Sequence, residues 1–205
     1  MNRKIPRAPP CSPVVIKLGR SLWNRIPDLI AGLLASERPL FIVPGGGVFA
    51  DIIRKMPVDD DSAHWMAIAA MDQYGWFIVS QGIMPTTILK VPDRPVVFLP
   101  YCSIRQHDPL PHTWDVSSDS IAAWVADYLG LELLLLKSVD GIMENGDLVR
   151  EVKKPITTEV VDPFFIPFVF DRKITTAIIN GSHPDRIDKF LMGQIVSGTR
   201  IGTTF

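Results

Sequence analysis

The 205-residue sequence is short of cysteine, of net charge and of long apolar runs, and each shortage removes a class of protein. Its two cysteines, Cys11 and Cys102, stand far apart and form no CxxC pair, which argues against a cysteine zinc site or a disulfide framework and for a reducing cytoplasm. A formal charge of -1 without a basic run offers nothing to nucleic acid or to an anionic membrane. No apolar run is long enough to span a bilayer, and none of signal-peptide length follows the basic, Pro-rich start MNRKIPRAPPCSP. The expectation is a soluble cytoplasmic protein with small-molecule partners, residues 1–13 forming a loose tail and 14–205 a single domain.

What is present is a succession of short apolar runs that end in polar or glycine-rich turns. The stretch from Trp114 to Ile142 concentrates these signals. Asp115, Ser117, Ser118 and Asp119 crowd the start of a helical apolar repeat, which Gly130 stops. Leu131 to Leu136 reads as a strand buried on both faces, so Lys137, Ser138, Asp140 and Gly141 lie at its carboxyl end, where open α/β sheets hold their ligands.

Upstream, Val14 to Leu18 is a buried strand interrupted by Lys17. That lysine either snorkels to an edge or meets an anion beside the Gly19 turn. Leu22 to Leu34 reads as a helix with Pro27 in its first turn. Leu40 to Val43 is a second strand, running through Pro44, Gly45, Gly46 and Gly47 into a helix over Val48 to Lys55. Three glycines there allow close backbone approach and leave N–H groups for an anion, or they make only a tight turn. Gly45, Gly47 and Ala50 also fit the GxGxxA dinucleotide pattern, but no following strand with an acidic end supports a dehydrogenase, and no GK[ST] makes a P-loop.

Asp59, Asp60 and Asp61 cap a long helix running to about Gln81, with His64 at its open end as either a ligand-facing or a structural histidine. Trp65, Met66, Met71 and Trp76 lie on several of its faces, which suggests core or subunit interface and hence a homo-oligomer. Strands are expected at Thr86 to Val91, Val96 to Leu99, Thr176 to Ile179 and Thr199 to Ile201. A loop is expected over Pro100 to His112, a hairpin about Asn145 and Gly146, and a helix over Pro184 to Met192. The aromatic run from Phe164 to Phe170, broken by Pro167, reads as core packing rather than a long helix.

Taken together, KLGRS at Lys17, PGGG at Pro44, WDVSSDS at Trp114, LLLLKSVDGI at Leu133 and IINGSHPDRI at Ile178 resemble the amino acid kinase family, which includes acetylglutamate, uridylate and isopentenyl phosphate kinases. The resemblance implies an α/β fold, a three-layer αβα sandwich with a mainly parallel sheet, and ATP-dependent phosphoryl transfer, with Mg²⁺ carried by the ATP phosphates. It implies that Lys17 grips the transferring group, that Gly19, Gly45 and Gly46 supply backbone donors, and that Asp119 orients the lysine. It further implies that Asp115 and Ser117 contact the acceptor, with Gly47 beside it, and that Ser21, Lys137, Ser138, Asp140, Gly141 and Asn180 lie on the nucleotide side. HWMAIAAMDQYG and LPHTWDVSSDSIAAW resemble a compact subgroup from methanofuran biosynthesis, whose acceptor carries an ammonium and an existing phosphate. Arg20, Arg54 and His64 are the expected phosphate partners and Asp115 the ammonium's.

Two departures from the family stand out. Arg20 follows Gly19 where most members have a second glycine, and the later GGM..K motif with its second catalytic lysine is missing. Lys137 or Lys173 is the expected substitute. Without one, the chain is expected to turn over slowly or to bind a nucleotide or oxyanion without catalysis. An acyl-phosphate-forming amino acid kinase is the other alternative.

Overall fold

Strands whose two faces are both apolar can only lie inside a sheet covered on each side, and this requirement shapes the chain. In the computed structural model, which describes residues 12–202, Val14–Leu18 (β1), Leu40–Pro44 (β2) and Thr176–Asn180 (β9) are buried at every position, and Glu132–Lys137 (β5) at all but its ends. The tail expected over residues 1–13 lies outside the described residues apart from Ser12 and Pro13, and so does Cys11. With Met84–Thr86 (β3), Val96–Phe98 (β4), Glu151–Val152 (β8) and Thr199–Ile201 (β10), these strands form an eight-stranded sheet in the order β3-β4-β2-β1-β5-β9-β10-β8. Every neighbouring pair is parallel except β9 with β10. A separate hairpin joins Met143–Glu144 (β6) to Asp147–Leu148 (β7), with Asn145 and Gly146 at positive φ as a tight hairpin turn requires.

Alternation along the strands feeds two helical layers. Val15, Phe41, Leu133 and Leu135 face Ser118–Leu129 (α5) and Phe165–Arg172 (α6), whereas Ile16, Ile42, Leu134 and Leu136 face Ile26–Leu34 (α1) and Pro184–Leu191 (α7). A short 3-10 turn, Arg20–Arg25, leads into α1, and Pro27 lies in that helix's first turn as expected. Between β2 and β3 come Gly47–Ile53 (α2) and Asp60–Val79 (α3). The long α3 helix wraps the sheet edge, sending Ile68 and Met71 into one layer and Tyr74 and Ile78 into the other. The chain therefore forms the three-layer αβα sandwich with a mainly parallel sheet. Because β2, β1, β5 and β9 are parallel neighbours, their carboxyl ends open on one edge.

Three expectations are corrected, and one short strand was not anticipated. Thr86 ends a strand instead of beginning one: β3 is Met84–Thr86, and Thr86 Oγ1 accepts from the Ile88 amide as the chain bends away. The segment Pro100 to His112 is not all loop, since Tyr101–His107 (α4) is helical. Its start is fixed from outside the segment, the Tyr101 amide donating to Asp72 on α3 at 3.0 Å while Ile104 is buried in the core, so tertiary contact supplies what the local pattern lacks. The two-residue β8 is too short to leave a periodic signal. Lys173, offered as a replacement catalytic lysine, stands after α6 in a left-handed conformation beside Gly130, Glu132 and Thr175, at the opposite end of the sheet from Lys137.

At that opposite end Arg38 is 4% exposed and pairs with Glu132, while its Nε donates to the Ser12 carbonyl. Arg38→Ala strands the Glu132 carboxylate, and the unfolding free energy read from urea denaturation should fall by about 3–5 kcal/mol.

Candidate active site

The centre of the carboxyl edge is a charge cluster built from two adjacent strands and one helix. Lys17 on β1 faces the same layer as Val15, which brings its ammonium under the N-terminus of α5; there Asp119 Oδ1 lies 2.8 Å from Lys17 Nζ. Lys137, the last residue of β5, donates to Asp119 Oδ2. Asp119 and Lys17 are each about 5% exposed, so the cluster is nearly dry. Lys17 meets Oδ1 at ion-pair distance without the alignment of a hydrogen bond, which leaves that oxygen as an unpartnered acceptor. Burial alone would raise the Asp119 carboxyl, but the Lys17 and Lys137 charges outweigh it and hold it below the ordinary carboxylate range. Burial, and then the neighbouring Lys17 charge, push the Lys137 ammonium down from the usual lysine value against the pull of Asp119.

Two glycine turns close over this cluster. A Cβ on Gly19 would stand 2.7 Å from Lys17 Nζ, and one on Gly45 would stand 3.3 Å from the Gly19 Cα and 3.2 Å from Ser118 Oγ. Both positions thus need glycine for close approach. Gly47 needs it for a different reason: its φ of +59° turns β2 into α2. One expected donor is not available, because the Gly45 amide donates to the Leu18 carbonyl at 2.7 Å. Holding the two turns together uses that N–H internally.

Beyond the glycines, on the β2 side, lies an open cleft lined by Gly46, Arg54, Asp60, His64, Trp114, Ser117 and Ser118. The Arg54 guanidinium stacks 5.3 Å above the Trp114 ring. His64 stacks at 3.9 Å on His112, and burial followed by the His112 charge lowers its pKa to about 4, so it stands neutral. Arg20 does not face this cleft; its side chain is 58% exposed and pairs with Asp51 on α2. Asp115 is exposed and outside the lining, its carbonyl accepting from the Phe164 amide. Ser21 is exposed on the 3-10 turn.

On the opposite side, at the ends of β5 and β9, Asn180 Nδ2 donates to Asp140 at 3.2 Å and Arg186 on α7 pairs with the same carboxylate. Hydrogen bonds from Arg186 and Asn180 hold the Asp140 carboxyl low. Ser138 is exposed beside them, and Gly141 takes a φ of 144°, where a Cβ would strike Thr199.

Ser117 caps α5 by accepting from the Asp119 amide and donates to Asp162 at 2.6 Å. Asp162 is the residue that sequence reasoning missed. It accepts from the amide and hydroxyl of Ser117, the amide and hydroxyl of Ser120 and the Phe165 amide, locking the start of α5 to the start of α6. The sequence does carry a sign of it, an Asp-Pro step at a helix start, which the aromatic run after it obscured. Arg186 and Asp108 were missed as well, and Asp60 and Asp61 were read only as helix caps; nothing local links Asp61 to His112, 51 positions apart.

Asp162→Ala should lower the unfolding free energy by roughly 2–4 kcal/mol, since it leaves two amides and two hydroxyls at the α5 start without their charged acceptor; urea denaturation reads this directly.

No protein-family model matches the chain. It is 26% identical to [5-(aminomethyl)furan-3-yl]methyl phosphate kinase of Methanocaldococcus jannaschii in an alignment of 203 positions that covers 88% of this chain and 93% of the relative. Among solved structures it superposes on uridylate kinase from Archaeoglobus fulgidus with a TM-score of 0.68 and 18% identity, covering 92% of this chain and 99% of that one. It superposes on an isopentenyl phosphate kinase with a TM-score of 0.62 and 15% identity, covering 92% of this chain and 100% of that one.

Proposed function

We propose that this chain, which has the fold of the amino acid kinase family, transfers the γ-phosphoryl group of ATP to the phosphate of a small phosphorylated amine, [5-(aminomethyl)furan-3-yl]methyl phosphate, making its diphosphate in methanofuran biosynthesis. The observation that carries this reading is the pair of ammonium groups, Lys17 and Lys137, held on one carboxylate between an open cleft and a polar strand edge. Lys137 thereby takes the part of the lysine that the missing GGM..K motif would supply, which weighs against a non-catalytic binder.

Bound ATP with its Mg²⁺ supplies the phosphoryl group and an ADP leaving group. An acceptor phosphate oxygen forms the new P–O bond as the bond to ADP breaks. That oxygen needs no base, because the second pKa of a phosphate monoester is about 6. Lys17 and Lys137 meet the negative charge on the moving group from fixed positions, in a site dry enough for the charge to count. Asp119 sets their spacing. Its charge is shared between the two cations, and Mg²⁺ arriving with ATP would supply further positive charge to the phosphates.

Arg54 provides the cation for the acceptor phosphate, with neutral His64 as a hydrogen-bond partner that adds no charge. Asp60, which lines the cleft where Asp115 does not, pairs with the acceptor ammonium. Asp140, Asn180 and Arg186 bind the nucleotide side. Trp76 on α3, 55% exposed, supports a homo-oligomeric contact. No helix among the described residues is long and apolar enough to cross a membrane.

Incubation with ATP, Mg²⁺ and the furan monophosphate should yield ADP and the furan diphosphate by phosphorus NMR, with carboxylate acceptors such as glutamate left unchanged. Activity on carboxylates alone would favour the acyl-phosphate reading, and tight nucleotide binding without product would favour the binder. Lys17→Ala should cut kcat about 10²–10³-fold. Because the Lys137 pKa is lowered and its protonated form is the one used, kcat/KM should fall as pH rises before an ordinary lysine, near 10.4, would titrate. Lys137→Arg should remove that alkaline limb from the pH profile.

A further inference from the structure

At the lip of the cleft, α3 and the segment after α4 bring together a cluster that the phosphotransfer scheme leaves largely unused. His112 Nδ1 lies 2.6 Å from Asp61 Oδ1, and its Nε2 lies 2.8 Å from Asp108 Oδ1. The His64 ring stacks on His112 at 3.9 Å with 21° between planes, and its Nε2 is buried without a hydrogen-bond partner among the described residues. Ligand atoms of His64, Asp108 and His112 all lie within 4.8 Å of one another.

As a purely protein cluster this arrangement is incomplete. His112 satisfies two carboxylates only as an imidazolium donating from both nitrogens, and the positive ring then stacks on a second imidazole whose inner nitrogen has nothing to bind. A divalent transition metal resolves both conditions. It would accept His64 Nε2, His112 Nε2 and Asp108 Oδ1, leaving the His112 Nδ1–H to donate to Asp61. That is the outer carboxylate–histidine–metal arrangement that orients metal-bound histidines. Tetrahedral zinc with bonds of about 2.0–2.1 Å places its ligands about 3.4 Å apart, so groups now up to 4.8 Å apart close by about 1.4 Å at most, while the His112–Asp108 pair opens from 2.8 Å.

We propose that His64, Asp108 and His112, with Asp61 behind them, form a zinc-type metal site at the entrance of the acceptor cleft. Two imidazoles and a carboxylate suit Zn²⁺ over Mg²⁺ or Ca²⁺, which favour all-oxygen ligand sets. Three protein ligands leave a fourth position, and since His64 lines the cleft, that position faces it and takes an anionic oxygen. The site also ties Asp108 and His112, after α4, to His64 near the start of α3.

Metal binding is measured without ATP or acceptor, so its outcome is independent of the kinase reading. Tag-free full-length protein stripped with EDTA should take up one equivalent of Zn²⁺ in competition with a chromophoric chelator. Co²⁺ should give the intense visible bands of a tetrahedral site. His64→Ala and His112→Ala should each weaken Zn²⁺ binding more than ~100-fold, and Asp61→Asn by about 10–100-fold as an outer-shell partner. Should a variant not fold, zinc-edge X-ray absorption on the wild-type protein decides, with two imidazole nitrogens expected in the first shell. Absence of stoichiometric uptake, equal uptake by His64→Ala, or a first shell without imidazole would overturn the site.

Discussion

One carboxylate neutralising two ammonium groups, one buried and one largely so, is the constraint on which this molecule turns. Asp119 is the only acid contacting Lys17 and Lys137 among the described residues, and neither lysine could remain charged in so dry a position without it. That demand explains features far from the chemistry. The first turn of α5 must be rigid for Asp119 to hold its place, and the many bonds of Asp162 supply the rigidity by fastening that turn to α6. The glycines over the cluster follow from the same geometry, since a side chain at Gly19 would occupy the space of the Lys17 ammonium.

Most of this framework was legible in the sequence because it rests on short-range patterns. β1, the Gly130 stop and β10 were recognisable from apolar runs bounded by turn residues, and the β6–β7 hairpin from its Asn-Gly pair. The failures were of another kind. The α4 helix is held by Asp72 and by burial of Ile104, neither visible in its own residues, and the Asp162 network joins side chains more than forty positions apart.

The candidate site divided along the same line. A lysine inside an apolar strand, a triple glycine after another and acids at a helix start marked positions that the fold brings to one edge. What a position faces was less readable. Arg20 and Asp115 belong to the marked segments, yet one turns out to Asp51 and the other lies outside the cleft, because a single step along a tight turn redirects a side chain. Lys173 shows the same limit on a larger scale: only the sheet topology reveals that it stands at the far end.

The strand order carries a consequence for the shape of what can react. On the proposed phosphotransfer, the cleft beside β2 would take the acceptor, the paired cations rise from β1 and β5, and the polar groups at the ends of β5 and β9 would take the nucleotide, which lays the reacting partners across consecutive strands. With neighbouring strands about 4.8 Å apart, the row from β2 to β9 is roughly 14 Å wide. For that proposed reaction the sheet would act as a ruler: bulk added to an acceptor would extend outward past Trp114, because lengthening along the row would displace the phosphate from the two cations.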